Sequence, residues 1–207
     1  KGIERADSLA TDQHKWLSVP IDCGCALVRN GAALRAAFSL TPPEQDEHEP
    51  WLSEYTLQRT RRFRALDVWA IIQSAGRNGL AEAIANNNKM ALLFAHLVET
   101  QDDLELISSG PLSIVRFRFA PPQLRNNPLL LDQLNKAVAY EMQQRGRAFL
   151  TSTLFQGKEA LRACIVNYMT TEADIQAIVD ETLYVGKKEH PAINRGSTRK
   201  GVTNNAL

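Results

Sequence analysis

The feature that most constrains the fold of this chain is a change in the spacing of its apolar residues. Leu66, Trp69 and Ala70 share one helical face with Gln73, and Leu80, Ala83, Ile84, Ala91, Phe94, Ala95 and Val98 continue at intervals of three and four. That spacing is the period of an α-helix with one buried side. It predicts a helix over 65–75, a break at Gly76 and Gly79, and a long helix to about Thr100. From Ser113 to Phe119 the period falls to two: Val115, Phe117 and Phe119 face one way, and Ile114, Arg116 and Arg118 the other. This is the alternation of a strand with one buried face. A chain carrying both patterns must lay helices against a sheet.

The remaining segments fit that plan. Residues 1–9 read as the end of a strand and Cys23–Arg29 as a buried strand, with Pro20 preventing a helix between them. Asn30-Gly31 marks a turn before a short helix over 32–38. Leu104–Ile107 reads as a strand, and Pro121-Pro122 ends the one before it. Asn127 followed by Pro128 starts a helix whose apolar face is Leu131, Leu134, Val138 and Met142, ending near Gly146. Two strands over 149–155 and 160–167 join at Gln156-Gly157. Thr171 and Asp174 make a capping box for a last helix whose face is Ile175, Ile178 and Val179. Residues 187–207 are polar and without periodicity, and are expected to be a disordered tail or a segment draped over a partner. The order implies an α+β domain in which helices cover one face of an antiparallel sheet.

With 207 residues, 44% of them hydrophobic and 23% charged, the chain has the composition of a globular protein of one or two domains. A net charge of +1 argues against a dedicated nucleic-acid binder. No apolar run approaches the ~18 residues of a membrane span, and the first five residues lack the apolar core of a signal peptide, so a cytoplasmic location is the default expectation. Cys23, Cys25 and Cys164 read as buried reduced thiols, and no metal site is expected from Cys23 and Cys25, whose spacing on a strand offers no chelate turn.

The stretch Asp12-Gln13-His14-Lys15-Trp16-Leu17 holds the best candidate nucleophile, Lys15. A lysine amine has an ordinary pKa near ~10.4 and needs a desolvated pocket or neighbouring positive charge to act as a nucleophile. Trp16 and Leu17 offer an apolar wall; His14 and the backbone N–H groups between Thr11 and His14 offer donors to an anion. Read alone, Lys15 is one of 24 basic residues. Residues 41–50, with three prolines and four carboxylates, have the composition of a solvated loop. Arg59, Arg61, Arg62 and Arg64 follow it, and ion pairing with that loop or a subunit interface is the expected use of the cluster.

The runs G-I-E-R-A-D-S, D-x-H-K-W-L and D-C-G-x-A-L-V-R within residues 2–29, the block Arg61-Arg62-Phe63-Arg64-Ala65-Leu66-Asp67-Val68-Trp69, and the weaker Leu161-Arg162-Ala163-Cys164-Ile165-Val166-Asn167 stand in one order along the chain. Together they resemble the pyridoxal-phosphate-dependent group II decarboxylases, the family of aromatic-amino-acid and glutamate decarboxylases. The resemblance implies an α/β fold of the aspartate-aminotransferase-like type (fold type I). Residues 1–60 would end the cofactor-binding large domain and 61–186 would form the helices and small domain. It implies pyridoxal phosphate as cofactor, an amino acid as substrate, decarboxylation to an amine and carbon dioxide, and a homodimer with the active site at the interface. Lys15 falls at the Schiff-base lysine, His14 at a histidine contacting the cofactor phosphate, and Asp12 at a small polar residue doing the same. Arg162 is a candidate for the substrate carboxylate.

The family's lid carries a proton-donating tyrosine, and its place falls near Glu44, where this chain has none. His48 or Tyr55 are the expected substitutes. The resemblance also places Lys15 past the middle of a full-length enzyme. The aspartate facing the pyridine nitrogen, the histidine stacked on the ring and a serine-containing phosphate loop would then come from elsewhere. Two further readings stay open: oxidative deamination or transamination, and an inert subunit.

Overall fold

The computed structural model describes residues 2–39 and 51–200, with side chains as far as His190. The chain divides into two compact units, Lys1–Leu80 and Ala81–Leu207. The division falls inside a helix.

In the first unit, β1 (Ser8–Asp12) and β2 (Gly24–Val28) pair antiparallel, with Ser8 opposite Val28 and Asp12 opposite Gly24. The strand expected over 1–9 begins only at Ser8, because Ile3–Arg5 winds into a 3-10 turn. The Arg29 guanidinium donates to the carbonyls of Ala6 and Glu4 and so ties this turn to the end of β2. The expected burial of the second strand is not met: both strands are largely exposed. Helix α1 (Gly31–Phe38) follows, capped by Asn30, whose Oδ1 accepts from the Ala33 N–H at 3.0 Å. Helix α2 (Arg64–Glu99) begins in this unit and breaks at Gly76, where φ is 65° and ψ 175°. A side chain rarely adopts that backbone, which is why glycine stands there. Gly79, expected to share in the break, is helical.

The second unit is the sheet and its helical cover. Strands β3 (Leu104–Ser109), β4 (Ile114–Phe119), β5 (Thr151–Phe155) and β6 (Lys158–Cys164) form an antiparallel sheet in the order β3-β4-β6-β5. Gln156 and Gly157, both at positive φ, make the two-residue turn between β5 and β6. Helix α3 (Pro128–Arg145) starts at Asn127, whose Oδ1 accepts from the Leu130 N–H, and ends at Gly146 with φ 69°.

The alternation in β4 sends Val115, Phe117 and Phe119 into the core, where each is at most 1% exposed. Phe94 of α2 packs edge-on against Phe117, with ring centroids 5.0 Å apart. Leu131, Leu134, Val138 and Met142 of α3 and Ile175 and Val179 of α4 complete the same core.

Helix α4 (Glu172–Lys200) opens on the expected capping box: Thr171 donates its N–H to Asp174 at 2.8 Å and accepts from the Asp174 N–H at 3.3 Å. It does not stop at Gly186. Residues 187–200, expected to be part of a disordered tail or a segment draped over a partner, continue the helix, since Val185 is fully buried and Lys188 pairs with Glu141 at 2.7 Å. No apolar stripe marks this stretch; the ion pairs of Lys187 and Lys188 and an already nucleated helix extend it instead. The proposed lid over 41–50, including Glu44 and His48, and residues 201–207 lie outside the described residues. No described helix is long and apolar enough to cross a membrane.

Candidate active site

Lys15 lies in the connection from β1 to β2, and the main chain there closes tightly. Gln13 and His14 both donate their N–H groups to the Cys23 carbonyl, at 2.9 and 3.3 Å, Lys15 donates to Asp12 at 3.2 Å, and Val19 donates to Gln13 at 3.2 Å. Val19 and Cys23 are buried beneath this loop. The consequence runs against the expected anion cradle: the main-chain donors of Gln13 and His14 are committed to a carbonyl, which leaves the side chains to meet a ligand.

The His14 ring is held by the opposite strand. Its Nδ1 stands 2.9 Å from the Cys23 carbonyl oxygen and 3.2 Å from the Cys23 nitrogen. The tautomer decides which of the two contacts is the hydrogen bond. Either way the ring orientation is fixed and Nε2 is the nitrogen left without a partner among the described residues.

The Lys15 amine is 2.6 Å from Asp12 Oδ2, in a pair whose lysine side chain is 65% exposed. Hydrogen bonding and charge from Lys15 hold the Asp12 carboxyl below its ordinary range. Trp16 and Leu17 are half-buried. Within this unit the amine is therefore positioned by an anion and not by the desolvated pocket expected from sequence.

Two features of the loop were not anticipated. Asp22, next to Cys23, receives two hydrogen bonds from the Arg64 guanidinium, at 3.1 and 2.8 Å, and Arg62 stands 3.9 Å away. The expected partner of this arginine cluster was the acidic loop or a subunit; among the described residues Arg64 grips the lysine loop instead. The signal was present, since Asp22 heads the D-C-G run, but no local pattern joins residues 42 apart. Gln13 is the second case: it is 8% exposed, and its Oε1 is buried without a partner among the described residues.

Tyr55 ends a 3-10 turn (Leu52–Tyr55) and is half-buried, beside an Arg35–Glu54 pair at 2.6 Å. Arg162 belongs to the second unit, exposed on β6 opposite Arg116 of β4 and Thr151 of β5. All three cysteines are free, but only Cys23 is buried; Cys25 is half-buried on the ribbon and Cys164 is exposed at the end of β6.

A family model described as the pyridoxal-dependent decarboxylase conserved domain matches residues 1–120. The chain belongs to this family. It is 33% identical over 185 residues to an aromatic-L-amino-acid decarboxylase of Bacillus atrophaeus, a match covering 86% of this chain and 38% of that protein.

Among solved structures, the Catharanthus roseus tryptophan decarboxylase in complex with L-tryptophan superposes with a TM-score of 0.78 at 26% identity, covering 90% of this chain and 40% of that one. An Oryza sativa enzyme crystallised with pyridoxal phosphate and tryptamine gives a TM-score of 0.82 at 24% identity, over 92% of this chain and 40% of that one. The fold is thus the α/β fold type I of pyridoxal-phosphate enzymes, as the motifs implied. The chain spans about two fifths of the length of these relatives.

Proposed function

We propose that this chain contributes the lysine-bearing part of an enzyme that uses pyridoxal phosphate to decarboxylate an L-amino acid to an amine and carbon dioxide. The observation that carries the reading is the geometry around Lys15: a primary amine held at 2.6 Å by Asp12, next to a His14 ring fixed by the Cys23 main chain, on a chain of this family. This donor set fits the cofactor, since an aldehyde takes a primary amine and a phosphate takes an imidazole N–H. When bound, pyridoxal phosphate supplies an electron sink for the bond broken between Cα and the carboxylate.

Lys15 is the residue that bonds the cofactor, and His14 presents Nε2 to the phosphate. Asp12 serves as the counter-ion that orients the Lys15 amine. Its carboxylate would repel a phosphate dianion, so the ion pair supports this role over direct phosphate contact. Arg64, through Asp22, holds the strand end whose Cys23 main chain fixes His14. Tyr55, through its phenol O–H, and His48 are the groups proposed to return a proton to the product carbon. Arg162 is proposed to hold the substrate carboxylate. The names of the relatives support an aromatic amino acid as the first substrate to test, and favour decarboxylation over oxidative deamination or an inert subunit.

We further assign residues 1–60 to the end of the cofactor-binding domain and 61–186 to the helices and small domain. We also infer a cytoplasmic homodimer with the active site at its interface. Ile21, Trp51 and Leu57, each more than 70% exposed in the first unit, support an interface there.

Borohydride reduction of the protein with pyridoxal phosphate, followed by peptide mapping, tests the reading. A reduced pyridoxyl adduct on Lys15, absent in Lys15→Ala, is expected. An adduct spread over other lysines, or unchanged yield in the variant, would overturn it.

A further inference from the structure

A cleft of about 500 Å³ opens beside β3 and β4 of the second unit, lined by Glu99, Glu105, Arg118, Arg125 and Lys158. That volume lies within the range of small-ligand pockets. The Arg118 side chain is 6% exposed and donates through Nε and Nη2 to one oxygen of Glu105, both at 2.7 Å. Its Nη1 is buried and has no partner among the described residues. A buried guanidinium nitrogen left unpaired keeps an uncompensated desolvation cost, so a native structure is expected to satisfy it with a water or an ion.

The neighbouring cations are oriented in the same way. Lys158 Nζ is 3.0 Å from the other Glu105 oxygen, which leaves further ammonium protons free. Arg125 is anchored by neutral groups alone, donating Nε to the Ala120 carbonyl at 3.1 Å and Nη2 to the Asp102 carbonyl at 2.7 Å. It has no carboxylate partner among the described residues, and its Nη1 is unspent. Burial pushes the Glu105 carboxyl up, but the hydrogen bonds and charges of Lys158 and Arg118 outweigh this and keep it ionised. Both its oxygens are engaged. Three cations then stand against Glu105 and Glu99, an excess of one positive charge lining an open cleft.

We propose that this cleft binds a small oxyanion, received by Arg118, Arg125 and Lys158. The group is a phosphate or a carboxylate, for which planar guanidinium forks and an ammonium are the matching donors. The site is separate from the lysine loop and does not rest on the function proposed above.

Calorimetric titration of the full chain with inorganic phosphate, and in a second arm with succinate, tests it, with chloride keeping the ionic strength constant. Saturable binding is expected in at least one arm, and the stronger arm identifies the oxyanion. Arg125→Ala and Lys158→Ala should each weaken it at least about tenfold, in line with the ~1.5–3 kcal/mol of a charged hydrogen bond. Lys158 is half-exposed, so its variant remains informative if loss of Arg125 disturbs the fold. Glu105→Gln should tighten binding by removing the internal counter-ion, a gain that misfolding cannot mimic. His14→Ala should leave it unchanged. No saturable heat in either arm would overturn the proposal, as would binding indifferent to Arg125 and Lys158 or binding abolished by His14→Ala.

Discussion

Phe119 and Gly186 show how far one position can decide the packing. A Cβ built on Gly186 would lie 2.4 Å from the Phe119 ring, which is itself 1% exposed and cannot withdraw. Gly186→Ala is therefore expected to destabilise the second unit by at least about 1–3 kcal/mol, the range for overpacking. A lowered urea midpoint with unchanged m-value is the readout. Glu105 sets a pH dependence at the same scale. Its folded value lies below the ordinary 4.5, so its stabilisation is complete above that pH and is lost as the pH falls through the depressed folded value. The stabilities of wild type and Glu105→Gln should differ by a constant amount above pH 4.5 and converge as the pH falls through the depressed folded value. Neither effect was legible in sequence: Gly186 reads as a helix end, and Glu105 as one of many surface carboxylates.

At the scale of elements, the junction of α3 with the sheet depends on Asn135. It is fully buried, accepts from the Phe119 N–H at 2.8 Å, and donates to the carbonyls of Phe119 and Leu131, both at 2.9 Å. Asn135→Leu strands the buried Phe119 main-chain groups at the end of β4, with an expected loss of about 2–4 kcal/mol in equilibrium denaturation. Thr171→Ala, by contrast, removes a single cap from α4 and should cost about 1 kcal/mol. The cap was readable because it is local, with both partners within three residues. Asn135 was not, because its polar side chain sits on a helix whose apolar stripe accounts for the fold without it, and the Phe119 groups it satisfies lie 16 residues away.

For the molecule as a whole, the two units differ in how they are held. The second has a continuous apolar core, whereas the ribbon β1–β2 of the first leaves most of its residues exposed. A two-stranded ribbon is marginal by itself. Hydrogen exchange followed by mass spectrometry should find the amides of β4 and β6 protected at least about a hundredfold more than those of β1 and β2. Comparable protection would contradict this division.

The sequence by itself determined most of the helices and strands, their order and the position of Lys15, because apolar period, caps and turn residues act over a few neighbours and leave a local record; the helix beyond Gly186 left none. The motif resemblance gave the family on the same footing. Only the tertiary structure decided that Asp12 holds the Lys15 amine, that Cys23 orients His14, that Arg64 grips Asp22, and that Arg118 carries an unpaired nitrogen beside Arg125 and Lys158. Asp12 and Lys15 are only three residues apart, but the other contacts depend on which distant charges and carbonyls the folded chain brings within about 3 Å, and no spacing along the chain encodes that distance.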